Sequence, residues 1–84
     1  MSNKDILKKQ ILYRSKHRGI KEMDLLLGDF VNKYINSFNE IELKELKFLL
    51  NMEDNTIYKW YFNQSDKNLV PTNEVTKKLK RFKL

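Results

Sequence analysis

Arg18, Gly19 and Glu22 are the residues of this chain whose types and spacing could do recognition chemistry, setting a guanidinium, a backbone without a β-carbon and a carboxylate within one short stretch. Glycine after a run of helix-forming residues usually supplies the left-handed conformation that ends a helix, and its missing side chain lets another backbone come close. Arg18 then lies in the last turn of a first helix, or shares a face with Glu22 if the helix runs on. Either arrangement puts opposite charges beside a surface notch floored by bare backbone. As pattern alone, the same residues also make a helix corner with an exposed ion pair, worth about 0.3 kcal/mol.

The other candidate groups carry less. His17 is the only histidine and cysteine is absent, so neither a metal set nor a nucleophile–base pair can be completed. Glu22, Asp24 and Asp29 point in different directions if they sit on a helix, and acids are expected in a first helical turn regardless of function. Gly-rich phosphate loops are missing, since the chain has two glycines in all. Tyr58, Trp60, Tyr61 and Phe62 could stack on bases or on a flavin ring, but aromatics this dense on a short helix more often anchor it to a core. Trp60 points away from Tyr58 and Phe62, and either closes the bundle from another side or joins an exposed patch. An enzyme is the class with least support.

The elements that must position these groups all read as helices. Residues 4–17 carry Leu7 and Ile11 four apart, and the pattern stops at Gly19. Residues 20–38 give the strongest signal, with Met23, Leu27, Phe30, Val31, Tyr34, Ile35 and Phe38 on one broad face. Asn39-Glu40-Ile41-Glu42 has the form of a capping box before a third helix that runs to about Met52. Glu53 to Thr56 reads as a polar turn, residues 57–64 as a short aromatic helix and residues 65–69 as a loop. Pro71-Thr72 marks the start of a last helix with Val75, Leu79 and Phe82 on one face. Strand alternation competes nowhere, so the fold expected is all-α, a single-domain five-helix bundle over residues 1–84.

At 84 residues the chain is too short to enclose a large substrate cavity, and its formal charge of +6 favours an acidic partner surface, a nucleic acid or an anionic membrane face without choosing among them. A salt-sensitive nucleic-acid module remains the alternative, weakened by the lack of an exposed helix carrying base-reading Arg, Asn or Gln. Apolar runs fall far short of the roughly 20 residues needed to span a bilayer. The amino terminus has neither a secretory stretch nor an arginine-rich leader, which leads to the expectation of a bacterial, cytoplasmic protein.

Around the bend, Leu12-Tyr13-x-Ser15-x-x-Arg18-Gly19-Ile20-x-Glu22 resembles the extended pattern of the small FAD assembly factors, the flavinylation factors of succinate dehydrogenase. Their hallmark is Arg-Gly-x-x-Glu between the first two helices. Tyr58-Lys59-Trp60 also falls where that family has a Trp-containing short helix. The resemblance implies a monomeric five-helix domain that binds the flavoprotein subunit of succinate dehydrogenase, and in some relatives fumarate reductase, and promotes covalent attachment of FAD to that subunit. On this view the FAD belongs to the partner, and the domain holds no cofactor or metal of its own. Carried over residue by residue, Gly19 would permit close approach, Arg18 would pair with an acidic or carbonyl group of the flavoprotein, and Glu22 would reach a polar group near its active site. Tyr13, His17 and Ile20 would flank the contact.

Overall fold

A computed structural model describes residues 2–63 and 68–83, in which α1 spans Asn3–Ser15, α2 Lys21–Tyr34, α3 Glu40–Leu50, α4 Asp54–Tyr58 and α5 Glu74–Arg81. A π-helical turn, Lys59–Asn63, extends α4. Strands are absent among the described residues, so the all-α bundle stands. The expected loop at 65–69 lies, for residues 65–67, outside them.

Three of the helices, α1, α3 and α5, begin at a residue whose side chain satisfies a free backbone amide. The Ser2 hydroxyl accepts from the Asp5 N–H at the start of α1. Asn39 and Glu42 form the expected reciprocal box at the start of α3, at 2.8 and 2.9 Å. The start of α5 differs from expectation. Asn73, not Thr72, is the cap, and the Thr76 hydroxyl closes the box by accepting from the Asn73 N–H. That hydroxyl also donates to the Pro71 carbonyl, so Pro71 and Thr72 lead into the helix instead of forming its first turn.

The second helix is shorter than its apolar pattern. It ends at Tyr34, after which the chain turns through Ile35 to Ser37 with the Ser37 hydroxyl bonded to the Tyr34 carbonyl. Ile35 and Phe38 nevertheless remain buried, so the periodic pattern recorded burial beyond the helix itself. Met23, Leu26, Leu27, Phe30 and Val31 of α2 meet Ile11 of α1, Leu43, Leu46, Leu49 and Leu50 of α3, Ile57 and Trp60 of the fourth segment, and Val75 and Leu79 of α5. Complete burial of such side chains contributes roughly 1.5–3 kcal/mol each. Trp60 therefore closes the bundle, while Phe62 stays exposed against Tyr58.

α1 packs on both α2 and α3. Its last turn lies against α2 at the buried Gly28, where a β-carbon would stand 3.9 Å from the Ser15 carbonyl, an ordinary contact. Ser15 is itself buried and folds its hydroxyl back to the Leu12 carbonyl. This crossing fixes where the chain must turn between the first two helices.

Candidate functional site

The turn is not made by glycine. His17 holds the left-handed conformation, with φ at 62°, and neither glycine has positive φ. The expectation that Gly19 supplies that conformation is corrected: α1 ends at Ser15, Lys16 bonds back to the Tyr13 carbonyl, and the handed residue falls immediately after. Gly19 instead lies exposed in the bend that leads into α2.

Arg18 is drawn inward. Its side chain is 9% exposed and its partner is Asp54, the first residue of α4, not Glu22. One carboxylate oxygen of Asp54, Oδ1, takes Arg18 Nε at 2.7 Å and lies 2.6 Å from Nη2. The Arg18 Nη1 donates to the Arg14 carbonyl at 2.9 Å and the Leu50 carbonyl at 2.7 Å, and Nη2 donates to the Met52 carbonyl at 3.1 Å. These contacts occupy the full complement of guanidinium donors. They also satisfy carbonyls left open at the ends of α1 and α3. The other carboxylate oxygen, Oδ2, accepts from the Gly19 N–H at 2.8 Å, and the Arg18 N–H is held by Asp24 Oδ1 at 3.0 Å.

The remaining expected residues gather outside this knot. Glu22 is exposed in the first turn of α2, and its carboxylate has no ion pair or hydrogen bond among the described residues. Ile20 is half-buried against the core, and its carbonyl receives the N–H groups of Met23 and Asp24 at 3.0 Å each. Tyr13, 70% exposed, sets its ring 5.2 Å from that of His17. With Arg14, Lys16 and Arg18 they line an open hollow of about 290 Å³. The structure thus brings Tyr13 and His17 together at the hollow, with Gly19 and Ile20 in the bend that follows and Glu22 in the first turn of α2, while the Arg18 guanidinium is held by Asp54.

Asp54 is the site residue that spacing could not find. In the sequence it reads as part of a polar turn, and nothing local links it to an arginine 36 positions earlier. The arrangement can hold a backbone loop in one shape and offer it to a second surface. Groups of three or more His, Cys, Asp or Glu able to hold a metal ion are absent among the described residues, and no helix among them is long and apolar enough to cross a membrane.

The fold and this bend together define a small all-α domain whose first two helices are joined by a bonded, bare-backbone bend. Residues 9–83 match the Sdh5 family, described as the flavinator of succinate dehydrogenase, and the chain belongs to that family. It is similar to proteins named mitochondrial succinate dehydrogenase assembly factor 2. It is 40% identical to the one from Candida glabrata over 95% of this chain and 56% of that protein. The relative from Scheffersomyces stipitis is 42% identical over 80% and 45%, and that from Arabidopsis thaliana 44% over 66% and 29%. The chain therefore spans about half, or less, of the length of these relatives. Their names overturn the expectation of a bacterial, cytoplasmic protein: they are mitochondrial proteins of eukaryotes. The composition of a few amino-terminal residues does not decide a compartment.

Proposed function

We propose that this domain docks on the flavoprotein subunit of succinate dehydrogenase through the bend Gly19 to Glu22, with Tyr13, His17 and Ile20 around it, and thereby promotes covalent attachment of FAD to that subunit. The family description and the relatives' names support the partner. The observation that carries the site is that the domain makes no demand for glycine at position 19. Its φ is not positive, and a β-carbon there would meet only Asp54 Oδ2, at 3.6 Å, which is ordinary contact. A side chain would be tolerated by the isolated domain, so its absence answers to a surface that comes against the bend.

In this reading the FAD belongs to the partner, and the domain acts as a monomeric, non-catalytic helper. Docking holds the subunit in an arrangement in which its own groups and the flavin are aligned, supplying the orientation that a bond-forming step otherwise has to find by chance. Arg18 serves the contact by shaping the backbone, and Glu22 offers its carboxylate to a donor or cation of the subunit.

Co-expression of the flavoprotein subunit with this protein, scored by in-gel flavin fluorescence, tests the proposal. The wild type raises covalent flavin. Gly19→Arg and Glu22→Ala abolish the increase while changing stability by less than about 1 kcal/mol, because both positions face solvent. Equal flavin incorporation with Gly19→Arg would refute the assignment.

A further inference from the structure

We propose that Asp54 is the positioning residue of the docking corner, holding the Arg18–Gly19 peptide unit so that its carbonyl, not the Arg18 guanidinium, faces the partner. This rests on the reading of the bend as a docking surface. The two oxygens of one carboxylate divide the work. Oδ1 fixes the Arg18 fork and Oδ2 fixes the Gly19 N–H, so side chain and main chain of consecutive residues are locked to one group on α4. No peptide bond among the described residues is cis, and in a trans peptide unit the C=O runs opposite to the N–H. With the Gly19 N–H aimed at Asp54, the carbonyl of Arg18 points away from it, and it has no acceptor bond among the described residues. That carbonyl and the Glu22 carboxylate, four residues on in the exposed first turn of α2, are both acceptors, so the matching patch on the partner is one rich in N–H or O–H donors.

A first-turn acid on α4 would be explained in general by the helix dipole, which asks only for negative charge near the free amides. Asp54 does something more specific, because its carboxylate turns towards the bend and is 17% exposed, while α4 has no side-chain cap of its own. A lysine at position 18 could keep the ion pair but, without the rigid fork, could not reach Asp54 Oδ1 and three carbonyls together. The arginine of the motif and a carboxylate far along the chain thus act as one device.

The test uses the full chain and purified flavoprotein subunit, reading affinity, thermal unfolding and hydrogen exchange at the Gly19 amide. Asp54→Asn keeps the shape and removes one of the two acceptors. The Gly19 amide then exchanges about tenfold faster and affinity for the subunit falls about tenfold, the scale of losing one charge-assisted hydrogen bond. Val75→Ala, buried in α5 away from the bend, serves as a control of comparable stability and keeps affinity within about twofold. Should Asp54→Asn fail to fold, Asp54→Glu decides, since it retains the charge and displaces the bend by one methylene; weaker binding at a near-normal melting temperature is the expected result. Wild-type affinity in the Asp54 variant that folds, or an equal loss in Val75→Ala, overturns the inference. If the wild type itself does not bind the subunit, the proposed function fails instead, and the exchange rate at Gly19 still reports whether Asp54 holds the bend.

Discussion

The two ends of α2 are stabilised in opposite ways. At its start, Ile20 has no side-chain cap, and the chain before it is held by directional bonds from Asp24 and Asp54. At its far end, Phe30 and Tyr34 lie 5.1 Å apart and both meet Phe82, at 5.4 and 6.0 Å, with Lys78 Nζ 4.7 Å from the Tyr34 ring centroid. Aromatic packing of this kind depends on volume and tolerates small shifts, whereas a bonded knot defines one backbone path. The comparison teaches that damage at the aromatic end should cost stability alone, and damage at the bonded end should cost recognition first.

Phe30→Ala is the harshest test of that division. Phe30 is fully buried among three other rings, and its loss should remove about 3–5 kcal/mol, read as a lower melting temperature. The fraction that stays folded should bind the flavoprotein as the wild type does; a folded variant with weakened binding would blur the contrast. Arg18→Lys comes next, with an expected loss of about 2–3 kcal/mol as the Leu50 and Met52 carbonyls lose their donors. Here binding should fall even at temperatures where the variant is fully folded.

The smallest effect lies at the aromatic end and depends on pH. The Tyr61 hydroxyl donates to the Phe82 carbonyl and so ties the π-helical turn to the end of α5. Burial pushes its ionisation above the ordinary 10.0. The unfolded chain therefore releases this proton first, so the stability from the bond is present below pH 10 and declines as pH rises through the folded value. Tyr61→Phe should cost about 1 kcal/mol at neutral pH and flatten that alkaline decline, measured by denaturant unfolding between neutral and strongly alkaline pH.

Much of the architecture was legible because it follows from local rules. The Asn39–Glu42 box and the Val75–Leu79 face appear where caps and periodicity put them. Apolar spacing could not locate the end of α2, since Ile35 and Phe38 are buried whether or not the backbone is helical there. At the site, the corner itself was visible as a break between two patterns, and the Arg-Gly pair marked it. Which way Arg18 turned was not visible. That choice is decided by Asp54 and by the open carbonyls of Leu50 and Met52, brought in from across the fold. The left-handed residue was misplaced for a related reason. Glycine is the usual occupant of such a position, but α1 ends at Ser15, two residues before His17, so the left-handed residue falls ahead of Gly19.

His17 and Gly19 look, from the chain's own standpoint, like residues that have changed places. The histidine bears a backbone twist that side chains resist by about 1 kcal/mol, while two positions on the glycine occupies a conformation open to any amino acid. Selection for thermal endurance alone would put glycine at the first position and alanine at the second. On the proposed docking reading, an imidazole in a costly conformation and a bare backbone where the fold needs none are both features of the outline offered to the flavoprotein subunit.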